Sequence, residues 1–168
     1  DYGPQALSDT MINCRENLIN TVGAGMDLEE AKTPFILEKR LLKLAVLNFA
    51  ENEWATASVK QPGTNPVNII ENVRQIKRAR EICDFVLVIV HGGNEYYPLP
   101  NPQILSQYRF YAESGASVVV GHHPSCISGF EVYQGVPVFY SLGNFLFTKR
   151  SSWESWYTGL ILKLKIKE

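Results

Sequence analysis

All three histidines of this chain follow apolar runs. His91 comes at the end of FVLVIVH, and His122 and His123 lie in SVVVGHHPS. Such runs are typical of strands buried within a sheet, and ligands of open parallel sheets gather outside the carboxyl ends of the strands. If the two strands are neighbours, the imidazoles converge on one rim. Imidazole is a common ligand of Zn, Fe and Mn, so the pattern favours a metal or substrate site over structural histidines.

Polar residues beside these histidines extend the candidate site. Asn94 and Glu95 follow His91 closely, and they could serve as an acid or base, as a ligand, or as a group that orients a ligand. Glycines at 92, 93 and 121 allow a backbone or a ligand to approach closely, because glycine has no Cβ.

A third polar stretch, YSLGNFLF at 140–147, includes Asn144. Its side-chain amide could donate into the site, although a Gly-Asn pair also favours a turn, which is the preferred interpretation from the pattern alone. Trp153, Trp156 and Tyr157 could stack on a ligand, whereas such residues more often pack in a core or a lid.

The cysteines give little support for a second kind of site. Cys14, Cys83 and Cys126 are odd in number and lack CxxC spacing, which argues against a disulfide framework and a cysteine zinc site. Packing is the expected role. Cys126 lies three residues after His123, so an additional soft ligand is the less favoured alternative to packing for this cysteine.

The composition predicts one globular domain spanning 1–168. The 168 residues are 45% hydrophobic and 20% charged, with a formal net charge of −1. No basic stretch indicates nucleic-acid binding, and no apolar run approaches the roughly 20 residues of a membrane span. The chain begins at DYGPQALSD without a methionine, so we expect that upstream sequence has been removed.

Hydrophobic spacing predicts the first half of the fold. A helix is expected from Pro4 to about Thr21, followed by a loop over GAGMDLEEAKTPF. PFILEK and LLKLAVLNFA predict two strands of a hairpin. The pair Asn65-Pro66 is a helix-start signal before NIIENVRQIKRAREIC, whose late basic residues indicate a solvated helix surface rather than an anion-binding face.

The second half predicts a parallel unit followed by antiparallel strands. DFVLVIV, QILSQYRFYAESG and ASVVVG form a strand–helix–strand pattern, with the first strand expected to be buried on both faces. GFEVY and VPVFYSL predict a hairpin that turns at Gln134-Gly135. YTGLILKLKIKE alternates apolar and lysine residues, which predicts a last antiparallel strand with a charged outer face.

Four segments occur in order along the chain: DYG at the start, HGGNEY (91–96), GASVVVGHHPS (115–125) and FEVYQGVPVFYSLGNFLF (130–147). Together, and in this order, they resemble the CapA family of poly-γ-glutamate capsule-biosynthesis proteins. The resemblance implies an α/β fold similar to the calcineurin-like metallophosphoesterases: a sandwich of mixed β-sheets flanked by helices, here expected to lack its N-terminal strands.

The same resemblance implies a site and a chemistry. His91 matches one metal ligand, and the second matches either His122 or His123. Glu95 and Asn144 match the family's Glu and Asn, so Glu95, His122 and Asn144 are the candidate catalytic residues. The implied cofactor is a divalent ion (Mn, Fe or Zn), dinuclear in the intact protein, where it would activate water to hydrolyse a phosphoester or a polyglutamate amide.

Two departures from the family pattern keep a rival hypothesis open. Ser125 and Gly92 replace the family's usual His and Trp, and the Asp and Asn-His ligands upstream of DYG are absent. This chain alone is therefore expected to bind metal poorly, and the rival is a non-catalytic protein that binds or assembles polymer. The expected partners are a polyanionic polymer or phosphoester and capsule-synthesis membrane proteins; the resemblance suggests the cell envelope, with the cytoplasm as the alternative.

Overall fold

A six-stranded mixed sheet positions the three histidines in this computed structural model, which describes residues 2–52, 55–148 and 151–166. The strand order is β2-β3-β5-β6-β8-β7, and β1 and β4 form a separate two-stranded sheet. The strands are β1 (Ala24–Gly25), β2 (Phe35–Lys39), β3 (Leu42–Ala50), β4 (Gly63–Thr64), β5 (Phe85–His91), β6 (Val118–His122), β7 (Phe130–Tyr133) and β8 (Val136–Phe139). The helices are α1 (Gly3–Glu16), α2 (Leu28–Lys32), α3 (Ile69–Ile82) and α4 (Pro102–Glu113), with a 3-10 turn at Glu154–Tyr157. The predicted α/β class with a mixed sheet and flanking helices is confirmed.

The centre of the sheet is parallel, and both of its edges are hairpins. β3, β5, β6 and β8 run parallel, while β2 and β7 pair antiparallel with β3 and β8. Both hairpins were predicted. Gln134 and Gly135 make the second turn, with φ values of 49° and 84° that suit a type I′ turn.

The main core lies between one face of the sheet and helices α3 and α4. Alternate residues of each central strand point into it, since side chains of a strand alternate between faces. Its fully buried members include Leu47, Phe49, Val86, Val88, Val90, Ile76, Tyr108 and Tyr111. The other face of β5 is only half-buried, so the expectation that this strand is buried on both faces is wrong for the part of the chain described.

Side-chain caps define where α3 and α4 begin. Asn101 accepts a hydrogen bond from the Ile104 amide, and Asn68 accepts one from the Glu71 amide. The predicted start of α3 at Asn65 is therefore three residues too early. Asn65 is buried instead, and its side chain donates to Gln75 at 2.9 Å.

Helix α1 ends earlier than its spacing predicts. It stops at Glu16, and Leu18 adopts φ 59°. The Leu18 and Ile19 amides then donate to the carbonyls of Arg15 and Cys14, the pattern of a Schellman motif. The usual sequence signal for this stop is glycine, which is absent at 18, so the prediction of a helix to Thr21 was wrong.

Two further segments differ from the sequence prediction. The expected loop after Gly23 includes the short helix α2, which Asp27 caps by accepting from the Glu30 amide. The expected last strand does not form over the described residues 160–166; Gly159, just before them, forms an isolated bridge to Gly143. Gly143 has φ 74° and turns the chain, so the ladder that begins at this bridge is not continued.

A buried polar chain links α3 to α4. The Tyr111 hydroxyl donates to Asn72 Oδ1 at 2.8 Å, and Gln107 Nε2 donates to the Tyr111 hydroxyl at 2.8 Å. Asn72 Oδ1 also accepts from the Asn68 amide, at the start of α3. Satisfied buried networks of this kind specify one arrangement of the elements that they join.

Gly121, in β6, is required by close packing. A Cβ at this position would lie 2.2 Å from the Tyr140 carbonyl oxygen and 2.8 Å from the Tyr108 hydroxyl. We predict that Gly121→Ala lowers the free energy of unfolding by about 1–3 kcal/mol, the usual effect of overpacking. Denaturant unfolding measures this change. Gly129→Ala is the matched control, since nothing lies within 4 Å of its added Cβ; equal losses in the two variants would contradict the prediction.

A second prediction concerns the ion pair that joins α4 to edge strand β7. Arg109 Nε and Nη2 donate to the two oxygens of Glu131 at 2.8 and 2.7 Å, and the Tyr140 hydroxyl also donates to Glu131. The hydrogen bond from Arg109, and then that from Tyr140, lowers the pKa of Glu131 below its ordinary value of 4.5.

A lowered carboxyl pKa stabilises the fold above the unfolded-state pKa, and that stabilisation is lost as pH falls through the folded-state value. Glu131→Gln is therefore expected to melt at a lower temperature than the wild type at pH 7. The difference should shrink as the pH falls below about 4.5. Thermal melts from pH 7 to 3 measure both quantities, and a difference that is constant with pH would refute the assignment.

Candidate metal centre

The parallel strands bring two histidines into one row at the rim. Backbone pairing aligns Ala50 of β3 with His91 of β5, and His91 with His122 of β6. Residues in register on adjacent strands point to the same face, so His91 and His122 share the face opposite α3 and α4. The sequence prediction that these strand ends converge is confirmed.

His123 completes the contact with His91. Its Nδ1 lies 3.2 Å from His91 Nε2, and the two ring centroids are 4.9 Å apart. The sequence could not decide whether His122 or His123 is the partner of His91. In the structure, a ring nitrogen of His123 contacts a ring nitrogen of His91. Two imidazole nitrogens at this distance either share a proton or face a common ion.

An unusual backbone turn points His123 at its partner. His123 has φ 102° and Ser125 has φ 55°, values that residues other than glycine seldom adopt. The Ser125 hydroxyl donates to the His123 carbonyl at 3.1 Å, and Pro124 between them is buried. Backbone strain of this kind persists only where the surroundings hold it, and it often occurs at functional sites.

His122 is kept neutral beside this pair. Burial, and then the neighbouring His91 imidazole, lowers the pKa of His122. The uncharged ring is the form that can coordinate a metal ion, because a protonated imidazole has no free lone pair.

Asn144 holds the loop that carries His123 rather than pointing a donor to open space. Its Nδ2 donates to the Ser125 carbonyl at 3.2 Å and to the Trp156 carbonyl at 3.1 Å. The side chain therefore ties the turn after β6 to the C-terminal segment. The catalytic role expected for Asn144 stays a prediction. In the structure, Asn144 acts as a clamp: its side chain joins two segments of the chain by hydrogen bonds.

Glu95 and the aromatic residues lie around this rim. Glu95 is exposed on the loop after β5, and the next residue, Tyr96, donates its amide to the Pro124 carbonyl at 2.7 Å. The Tyr96 ring contacts Trp153 edge-on, with 5.1 Å between centroids, and Trp156 at 6.4 Å. The predicted aromatic group thus packs beside the turn that carries His123, and Tyr157 is exposed next to it.

Glu51 is a rim residue that the sequence analysis missed. It directly follows β3, as the loop residues Gly92 and His123 follow β5 and β6. Its carboxylate accepts a hydrogen bond from the Gly93 amide at 2.9 Å. The signal was available, since Glu51 directly follows the run LLKLAVLNFA, but using it required knowing that this strand is parallel to β5.

The imidazole pair fits two coordination positions of one ion. Nitrogen ligands lie about 2.0–2.1 Å from zinc, and tetrahedral geometry then separates two of them by about 3.3 Å, close to the observed 3.2 Å. Within the described residues, no group of three or more His, Cys, Asp or Glu side chains is arranged to hold an ion. Cys126 is buried, which raises its thiol pKa and disfavours the thiolate that binds metal.

A groove elsewhere on the molecule does not include the histidines. It has a volume of about 670 Å³ and lies between α1 and residues 55–64. No helix in the described ranges has the length and apolar character needed to cross a bilayer.

Fold and rim together define a mixed α/β protein with an imidazole pair at the carboxyl edge of its parallel strands. The chain belongs to the family of bacterial capsule synthesis proteins, PGA_cap, whose model matches residues 1–149. The predicted membership in the CapA family is thereby confirmed.

Named relatives agree with this membership. The chain is 35% identical over 150 residues to the PGA biosynthesis protein CapA of Bacillus subtilis, covering 88% of this chain and 40% of that protein. It is 33% identical over 153 residues to the capsule biosynthesis protein CapA of Bacillus anthracis, covering 88% and 37%. A probable polyglutamine synthesis accessory protein of Mycobacterium tuberculosis is 27% identical over 161 residues, covering 86% and 41%. The chain thus spans about two fifths of the length of these curated relatives.

Solved structures show only slight similarity. A hypothetical protein from Thermus thermophilus has a TM-score of 0.42 and 17% identity, covering 66% of this chain and 38% of that one. A phosphatase from Mycoplasma pneumoniae has a TM-score of 0.43 and 11% identity, covering 66% and 35%. Similarities of this size do not bear on function.

The clamp at Asn144 can be tested directly. We predict that Asn144→Ala lowers the free energy of unfolding by about 1–3 kcal/mol, since each lost hydrogen bond contributes about 0.5–1.5 kcal/mol. Urea unfolding measures the loss, with Asn20→Ala as the control because Asn20 is exposed on the loop after α1. A loss no larger than that of the control would show that Asn144 does not hold the loop.

Proposed function

We propose that the full-length protein is a metal-dependent hydrolase of capsule biosynthesis that acts on a phosphoester or on an amide of a poly-γ-glutamate-like polymer. The observation that carries the proposal is the 3.2 Å separation of the His91 and His123 ring nitrogens at the carboxyl rim of the parallel strands. Membership in the capsule synthesis family supports the biological setting. The CapA relatives are named for PGA and capsule biosynthesis, which supports the choice of polymer.

Each residue of the rim has a task in this proposal. His91 and His123 hold the ion, and His122, whose pKa is lowered by burial, is the adjacent neutral imidazole that can join them. Glu95 is exposed on the loop that follows β5, where a carboxylate can accept a proton from water or orient the substrate. A bound divalent cation such as Mn, Fe or Zn would supply Lewis acidity that makes water reactive near neutral pH.

The charges of the rim bear on how a polyanion would bind. Glu51 and Glu95 are both carboxylates beside the histidines, so the protein's own rim charge repels a polyanionic substrate. Attraction for the polymer would then depend on the cation, and polymer binding should weaken when the metal is removed. Capsule-synthesis membrane proteins are the protein partners that we propose.

A second candidate function is non-catalytic binding or assembly of polymer. The described residues supply two imidazoles in contact but no group of three ligands. Ser125 also stands where the resemblance expects a histidine. A protein that retains the fold and handles polymer without hydrolysis would need no complete centre.

Metal content distinguishes the two functions. We predict that the purified full-length protein contains stoichiometric Mn, Fe or Zn, and that His91→Ala and His123→Ala each lose it. The expected loss of affinity exceeds the roughly 10–100-fold typical of an outer hydrogen-bond partner of a ligand. His122→Ala should retain more metal than His123→Ala, because His123 makes the direct contact with His91.

Elemental analysis measures metal content, and hydrolysis of a model phosphoester and of a γ-glutamyl amide measures activity in the same samples. Metal that is lost in the variants together with hydrolysis supports the enzyme. Absence of metal from the wild type, with polymer binding retained, favours the binding protein.

A further inference from the structure

Glu51 is fixed in place at the rim by its own backbone. Its amide donates to the His91 carbonyl at 2.9 Å, which extends the pairing of β3 with β5 one step beyond Ala50. The Glu51 side chain is half-buried. The anchored backbone places the Glu51 side chain next to the loop that follows His91.

The carboxylate holds that loop through Gly93. Glu51 Oε1 accepts from the Gly93 amide at 2.9 Å in a part-buried setting. Hydrogen bonds to ionised acceptors are roughly twice as strong as neutral ones. Gly93 has φ 120°, a conformation outside the usual range for other residues, so the loop turns sharply at the point where Glu51 holds it.

Gly92 leaves the room that Glu51 occupies. A Cβ at Gly92 would lie 2.6–2.7 Å from the Cγ, Cδ and Oε1 atoms of Glu51, closer than real contacts allow. The atoms in conflict belong to the end of a flexible side chain, so a residue with a Cβ at 92 would displace Glu51 rather than unfold the strand. Gly92 and Glu51 therefore form a coupled pair.

We propose that Glu51 is a positioning residue, which holds the turn at Gly92 and Gly93, directly after β5, so that His91 Nε2 faces His123 Nδ1. The consequence for metal affinity rests on the function proposed above, whereas the hydrogen bond to Gly93 does not. Outer partners that orient a metal ligand typically change affinity about 10–100-fold when removed. Their effect is preorganisation, because a loop already ordered does not lose that freedom on binding.

Amide exchange and Co²⁺ binding in the full-length protein test this role. Hydrogen exchange of the Gly93 amide reports the hydrogen bond without any metal. Titration with Co²⁺, followed by its absorption spectrum, reports the affinity and symmetry of the imidazole site. The variants are Glu51→Ala, Glu51→Gln, Gly92→Ala and the double variant Glu51→Ala with Gly92→Ala, and Glu81→Ala is the control because Glu81 is exposed on α3.

We expect Glu51→Ala and Gly92→Ala to accelerate Gly93 exchange and to weaken Co²⁺ binding about 10–100-fold. Glu51→Gln retains an oxygen acceptor of the same reach and should lie between these variants and the wild type. The double variant should be no worse than Glu51→Ala alone, because the atoms that the new Cβ would meet are gone. Such non-additivity is the signature of direct coupling.

Opposite results would overturn the assignment. Gly93 exchange that is equal in wild type and Glu51→Ala would show that the hydrogen bond does not hold the loop. Co²⁺ affinity unchanged in Glu51→Ala, or losses that simply add in the double variant, would also reject the role. If the wild type binds no Co²⁺, the proposed hydrolase fails, and Gly93 exchange together with the His91 imidazole NMR signals still decides for or against Glu51.

Discussion

Parallel hydrogen bonding between β3, β5 and β6 is the constraint on which the rest of this structure depends. It sets Ala50, His91 and His122 in one row and brings three strand ends to the same edge. Antiparallel pairing would have sent the histidines to opposite ends of the sheet. Each of these strands must be buried to stay in register, and the helices α3 and α4 bury one complete face of them.

Packing beneath the rim limits how the strands can approach one another. Gly121 lies in β6 against the Tyr140 carbonyl and the Tyr108 hydroxyl, with no room for a side chain. The Tyr108 hydroxyl is buried, with no hydrogen-bond partner within the described part of the chain, and its burial raises its pKa. Tyr108 is therefore a neutral phenol packed against β6 on the helix-covered face of the sheet, opposite the face that carries His91 and His122.

Two side chains, each with its own hydrogen-bond partners, hold the loops at the rim. Asn144 ties the turn after β6 to the C-terminal segment, and Glu51 ties the turn after β5 to the end of β3. His123 adopts its left-handed backbone between these attachments. The contact between His91 and His123 thus depends on two turns, each of which is supported by a different side chain. This arrangement can hold the two imidazoles in alignment through contacts within the chain itself.

Sequence alone determined the class of fold, the βαβ unit and the histidine-bearing strand ends, because hydrophobic period and strand-end position are local properties. It also identified the family, through motifs that run nearly the length of the chain. Tertiary structure alone decided that His123 contacts His91 and that Glu51 joins the rim, since both depend on the order of distant strands. The last segment, 160–166, shows the same limit: its alternating residues are typical of a strand, but a strand also needs a neighbour, and a neighbour is not encoded locally.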